Sequence, residues 1–136
     1  MSLCKGSQGF SSGFRVQVSP AFLPNHSNTE SGQFVFGYRI ALTNESGRTA
    51  QLMSRCWRIV DAHGQEHRVE GDGVVGKQPT LEPGQTFSYS SFCPLQTEWG
   101  TMEGHFVMRT SEGEEFEVGV ARFYLVAPQV EHAAQA

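Results

Sequence analysis

The sequence predicts an all-β fold: one antiparallel β-sandwich of immunoglobulin or fibronectin type III kind, with seven to eight strands. Apolar residues fall on every second position through most of the chain from Phe14 to Ala127, the period of a strand with one buried face. Turn-forming residues interrupt that pattern at a spacing of roughly ten residues, as in sandwiches. The composition agrees. Ten Phe and fifteen Gly in 136 residues, with 18% charged residues, favour strands and turns over helices.

The first strand is expected from Phe14 to Pro20. The clearest follows through Phe34, Phe36, Tyr38, Ile40 and Leu42, with Gln33, Arg39 and Thr43 on the other face. Asn44-Glu45-Ser46-Gly47 then turns the chain. A strand from about Ala50 to Asp61 places Met53, Trp57 and Ile59 on one face, and Trp57 is the natural centre of a sandwich core. Ala62-His63-Gly64-Gln65 makes the next turn, and Glu66 to Glu70 reads as a short polar edge strand. Thr86 to Phe92 alternates through Phe87 and Tyr89. Met102 to Met108 alternates through Phe106. Ser111-Glu112-Gly113-Glu114 forms a hairpin turn into Phe116, Val118 and Val120, and Phe123 to Val126 continues across a bulge after Ala121-Arg122. Residues 1–13 read as a disordered lead, 14–128 as the domain, and 129–136 as a disordered tail.

Between these strands lies Gly71-Asp72-Gly73-Val74-Val75-Gly76-Lys77-Gln78-Pro79. Its spacing imitates the G-x-G-x-x-G of dinucleotide loops, and it misses a G-x-x-x-x-G-K-[ST] phosphate loop because Gln78 stands where a metal-binding hydroxyl belongs. A phosphate loop works by opening a helix whose free N–H groups face the anion. Here Pro79 biases Gln78 towards extended backbone, and Pro83-Gly84 reads as a turn. No helix can start, so the motif is expected to join two strands, its glycines supplying positive φ or close backbone approach.

The formal net charge of −4 and the scatter of single Lys and Arg residues argue against nucleic acid as a partner. No apolar run reaches the roughly 20 residues of a membrane-spanning helix. Cys4, Cys56 and Cys93 are odd in number and show no C-x-x-C spacing, which argues against a disulfide framework or zinc knuckle and fits the cytoplasm. Cys56 and Cys93 are expected as small buried hydrophobes. His63 and His67 lie four apart, a ligand spacing on a helix but not on a turn entering a strand; His67 and His105 meet only if their strands are neighbours. No metal or cofactor is expected. Ser54, Ser90, Ser91 and Cys93 are potential nucleophiles with no framing signature such as G-x-S-x-G, so no catalytic residue is assigned. Arg55, Arg58 and Trp99 are of types favoured at binding hot spots, although Arg55 and Arg58 serve equally well to cover a sheet face with their stems.

The motifs Gln51-Leu52-x-Ser54-Arg55-x-Trp57-Arg58-Ile59, Val69-x-Gly71-x-Gly73-Val74-Val75-Gly76, Tyr89-x-Ser91, Gly100-x-Met102-Glu103-Gly104 and Ala121-Arg122-Phe123 occur in this order. On them the chain from about Phe14 to Pro128 resembles the ApaG family, also known as the DUF525 domain. Cys56, where many relatives carry His or Tyr, and Ala121, in place of a proline, depart from the pattern. The resemblance implies a fibronectin type III-like fold and no established enzymatic activity. It also implies an association with cobalt resistance and magnesium efflux in bacteria, often beside a diadenosine tetraphosphate hydrolase gene. In eukaryotes the family's domain sits within an F-box protein and a polymerase-delta-interacting protein, which implies protein binding. The expectation is therefore a non-enzymatic protein-interaction module, with Gly71, Gly73, Val74, Val75, Gly76, Arg55 and Trp99 as its contact candidates. The alternative is a small-ligand protein holding an anion, nucleotide or divalent metal at loop 71–77. Exposed strand edges leave room for a homodimer.

Overall fold

The alternating segments fold as antiparallel strands, shown in a computed structural model that describes residues 3–128. In chain order these are β1 (Ser7–Ser11), β2 (Phe14–Phe22), β3 (Phe34–Asn44), β4 (Ala50–Asp61), β5 (Glu66–Asp72), β6 (Thr80–Leu81), β7 (Thr86–Leu95), β8 (Trp99–Thr110) and β9 (Glu115–Val126). Short 3-10 turns at Pro24–His26 and Thr29–Ser31 interrupt the β2–β3 connection. One sheet has the order β1-β2-β3-β7. The other has β5-β4-β8-β9, with β6 also pairing with β4. Among the described residues no helix is long and apolar enough to cross a membrane. The tail expected at 129–136 lies outside the described residues.

The two apolar faces meet in one core. Phe14, Phe36, Ile40 and Leu42 come from the first sheet, and Leu52, Phe106, Met108, Phe123 and Leu125 from the second. Trp57 is 3% exposed, as expected. Its ring stands edge-on to Phe106 at 6.0 Å and to Phe123 at 6.1 Å, with Tyr38 at 5.9 Å, a mutual arrangement favoured by the ring quadrupoles.

Two bulges adjust the second sheet. The β8–β9 register shifts between Met102 and Gly104, leaving Ala121 and Arg122 as the irregular stretch where the sequence predicts one. The β4–β8 register shifts between Leu52 and Ser54, which the alternation does not predict. Met53 is the extra residue there, so Leu52 rather than Met53 enters the core, and the expected Met53–Trp57–Ile59 face begins one bulge later.

The described part of the expected lead, residues 3–13, is ordered rather than disordered. Ser7–Ser11 pairs with β2 along its full length, and serine hydroxyls then tie it to β9 in the other sheet. Ser7 Oγ donates to Ala121 O at 2.7 Å, Ser12 Oγ donates to Glu117 O at 3.0 Å, and Gly119 N donates to Ser11 Oγ at 3.0 Å. Lys5 and Tyr124 exchange backbone bonds of 3.0 and 2.8 Å. The sequence hid this strand because polar side chains hold it, while its Phe10 stays outside beneath Arg15. The sandwich is thus sewn along its β1–β9 side. No comparable seam joins β5 to β7.

Deleting residues 1–12 is expected to cost at least about 2 kcal/mol, at roughly 1 kcal/mol per hydrogen bond lost from the seam. Urea denaturation of the truncated chain, with its β-sheet circular dichroism retained, measures this.

Candidate functional site

The glycine loop leaves β5 and enters β6 without a helix. Its shape follows from backbone bonds. The Met53 carbonyl, displaced by the bulge, accepts from Gly73 N at 2.8 Å and from Gln78 Nε2 at 2.8 Å. Val74 N donates to Lys77 O at 2.8 Å, and Lys77 N returns to Val74 O at 2.9 Å. These bonds enclose a two-residue turn at Val75-Gly76, whose φ angles are 43° and 80°. Two consecutive positive φ values are the requirement of a type I′ turn, usually met by Asn-Gly. At Gly73, with φ of 64°, a Cβ would collide with the Lys77 carbonyl.

The valine pair therefore divides. Val74 is fully buried in the core, whereas Val75 is 52% exposed at the tip. A β-branched residue with positive φ is a true conformational outlier. The amides of Gly73, Val74 and Lys77 are occupied within the protein, which removes donors that a phosphate cradle would need.

Arg55 faces inward. Two residues before Trp57, it shares that side chain's facing, which the bulge at Met53 brings onto the face of Leu52, and it lies opposite Gly71 on β5. Its Nη1 donates to Gly73 O at 2.9 Å and Asp72 O at 3.2 Å. The missing side chain of Gly71 admits the guanidinium, which would lie 3.0 Å from a Cβ there. The anchored loop thus joins Arg55, Gly71, Gly73, Val74, Val75 and Gly76 in one unit. Behind it burial pushes the Tyr38 and Tyr89 hydroxyls above their ordinary range, opposed by the Arg55 charge.

Trp99 is not part of this unit. It is 46% exposed on the outer face of the second sheet, in a shallow depression with Arg58, Thr101, Arg122 and Tyr124. That face carries an ionic lattice. Arg58 meets Glu66 and Glu103 at 3.0 Å each, Arg68 meets Glu66 at 2.9 Å, and Arg122 meets Glu103 at 3.1 Å. The hydrogen bond from Arg122, aided by Arg58, holds the Glu103 carboxyl below its ordinary range. Arg58 is thereby engaged in covering the sheet.

Cys56 lies on the same outer face, 3.7 Å from Glu70 Oε2, instead of being buried as expected. Partial burial, then the Glu70 charge, push its thiol up. Cys93 is buried as expected, and burial pushes its thiol up to about 12. His67 and His105 are kept apart because β4 separates their strands, and His105 instead approaches Glu117 at 3.6 Å. Among the described residues no three His, Cys, Asp or Glu side chains form a group that could hold a metal ion.

Alternation along single strands gave no sign of one further feature, a cavity of about 430 Å³ between the sheets, lined by Phe34, Ile59, Asp61, His67, Pro94 and Leu95. It lies on the unsewn side of the sandwich and arises only when β3, β4, β5 and β7 come together. Asp61 Oδ1 beside it accepts from His63 N at 2.9 Å and Gln65 N at 3.0 Å, fixing the β4–β5 turn.

Two outcomes follow. Gly73→Ala should destabilise the fold by about 1–3 kcal/mol through strain at positive φ, read as a lower denaturation midpoint. Iodoacetamide at pH 9 should alkylate Cys56 while leaving Cys93 unmodified until the chain unfolds. Because the Cys93 pKa is raised on folding from an ordinary 9.0, its contribution to stability is complete below pH 9 and declines as pH rises towards 12.

The profile of the ApaG domain, DUF525, matches residues 24–110. Protein ApaG of Brucella anthropi is 48% identical over 117 residues, covering 86% of this chain and 90% of that protein. Protein ApaG of Bdellovibrio bacteriovorus is 44% identical over 119 residues, covering 88% and 94%. A crystal structure described as the ApaA protein of Bordetella pertussis is similar with a TM-score of 0.82 and 42% identity, over 86% of this chain and 95% of that one. The core strands, the anchored glycine loop and these matches agree that the chain belongs to the ApaG (DUF525) family.

Proposed function

We propose that this chain is a non-enzymatic protein-interaction module that acts in the cytoplasm and contacts its partner through the tip of the glycine loop. The observation that carries the reading is Val75, an exposed valine held at positive φ on a loop pinned from both sides. Strain of this kind costs about 1–3 kcal/mol and persists only where surrounding bonds impose it. A glycine or an asparagine would satisfy the turn more cheaply at this position, so an apolar knob here is best explained by contact with another surface. A rigid loop also loses little freedom on binding.

The candidate nucleophiles support a non-enzymatic reading. Cys93 is buried with its thiol pushed up to about 12, which disfavours the thiolate needed for attack. Ser88 and Ser90 sit on an exposed strand face, and Ser91 pairs opposite Tyr38 in the register of β3 and β7. The family's association with cobalt resistance and magnesium efflux is read in the same way, as the action of a partner that the domain contacts. Small-ligand binding at loop 71–77 is the weaker reading because the Gly73, Val74 and Lys77 amides already have protein acceptors.

Val75→Asn separates these roles. It should raise stability by about 1 kcal/mol by relieving positive-φ strain, while abolishing recovery of the partner that the wild-type chain captures from extracts of the source cell. Equal recovery by both chains would reject the loop tip as the contact. Amide shifts centred on residues 71–77 on titration with ATP, Co²⁺ or Mg²⁺ would favour the small-ligand reading.

A further inference from the structure

A sandwich has four sheet edges, and this one treats them differently. The β1 and β9 edges cover one another, because Glu117 O, Gly119 N and Ala121 O of β9 are taken by serine hydroxyls from Ser7–Ser12. The β5 edge is guarded by charge. Its seven residues include Glu66, Arg68, Glu70 and Asp72, the usual defence against pairing with another chain. The β7 edge has neither device. Its ten residues, Thr86–Leu95, contain no charged side chain, and it pairs with β3 alone.

The register identifies the backbone groups left over. Asn44 N donates to Gln85 O, and bonded pairs recur at every second residue of an antiparallel ladder. Phe87, Tyr89, Ser91 and Cys93 therefore bond to β3. The N–H and C=O groups of Ser88, Ser90 and Phe92 face outward. Pro94 falls on the outward set too, where its missing N–H costs the ladder nothing. Phe92, whose ring lies 6.0 Å from that of His26, is the most exposed large apolar side chain on this strand at 63%.

We infer that β7 is a self-pairing edge, and that a second copy of this chain docks there in antiparallel register about a two-fold axis near Ser90. The pairing joins the two β1-β2-β3-β7 sheets into one continuous sheet. Centred on Ser90, it opposes Ser90 to its own copy and Ser88 to Phe92 of the partner subunit, with Pro94 at the end of the ladder. No charge meets a like charge along the strand. The same operation on β5, centred on Arg68, would oppose Arg68 to its copy and Glu66 to a glutamate, which is destabilising.

Arg39 lies opposite Ser90 within the sheet. The two copies of Arg39 would lie three strand spacings apart, about 14 Å, beyond the roughly 8 Å screening length at physiological salt. An isologous pair of this kind is also the commonest closed assembly of soluble chains. This surface is separate from the Val75 tip, so the two readings stand or fall independently.

Sedimentation of the full chain across micromolar concentrations tests the inference. The expected mass is about 30 kDa, twice the chain's 15.0 kDa. Ser90→Lys places an ammonium opposite its copy and should weaken the dimer at least about tenfold, with circular dichroism unchanged because Ser90 is exposed. Val69→Lys on β5 and Val75→Asn should leave it intact. The amides of Ser88, Ser90 and Phe92 should exchange with deuterium more slowly as protein concentration rises. A 15.0 kDa monomer throughout overturns the inference, as does a Ser90→Lys dimer as tight as wild type, dissociation by Val69→Lys, or exchange at these amides that ignores concentration.

Discussion

One inserted residue, Met53, sets the geometry on which the centre of the molecule depends. Where β4 runs beside β8, two residues of β4 oppose one of β8, so the alternation of facing restarts. Ala50 and Leu52 point into the core before the bulge; Arg55, Trp57 and Ile59 point inward after it. Without the bulge, Leu52 and Trp57 would lie on opposite faces of the sheet. The bulge also turns the Met53 carbonyl out of the ladder, where it accepts from Gly73 N and Gln78 Nε2. The same irregularity that admits Trp57 to the core therefore anchors the glycine loop.

Arg55 follows from this arrangement. An inward arginine on an inner strand must find acceptors, since desolvating a guanidinium without partners is costly. The carbonyls of Asp72 and Gly73 supply them, and Gly71 leaves the space to reach them. The three glycines of the motif thus have different tasks. Gly71 makes room for a cation, Gly73 turns the chain against Lys77, and Gly76 completes the tight turn. That division explains why the motif has nucleotide-loop spacing without nucleotide-loop geometry: its amides point back into the protein, and β6 rather than a helix comes next.

Much of this fold could be read from the chain because its strands have one wet face and one dry face. Phe34 to Leu42 declares a strand by alternation alone, and Trp57 declares the core by size. Even the irregularity at Ala121-Arg122 was visible as a break in period. Features built on polar atoms or on tertiary proximity were not. β1 has no apolar period, because serine hydroxyls fix it to β9. Cys56 lies one residue from the buried Trp57, so alternation sets it on the outer face, where it meets Glu70 once β5 pairs with β4. Arg55 shares the Trp57 face by alternation, but the Asp72 and Gly73 carbonyls that accept from it there come together only in the folded loop. Trp99 has the composition of a contact residue, but the sheet sets it on the outer face, away from the loop with which the sequence grouped it.

The asymmetry of closure ties these observations together. A sandwich gains stability by bringing two apolar faces into contact, but each sheet still ends in unpaired strands. On one side this chain closes with hydroxyl-to-backbone bonds, which satisfy edge groups at little cost in hydrophobic area. On the other it leaves β5 and β7 apart, with a cavity between the sheets and the loop tip at the end of β5. The two open margins then diverge: β5 repels other strands through its charges, whereas β7 presents an uncharged ladder. Rigid closure at β1–β9 holds the frame against which the open side sets Val75, Phe92 and the β7 edge in fixed positions, and fixed positions reduce the ordering cost of the contacts proposed for them.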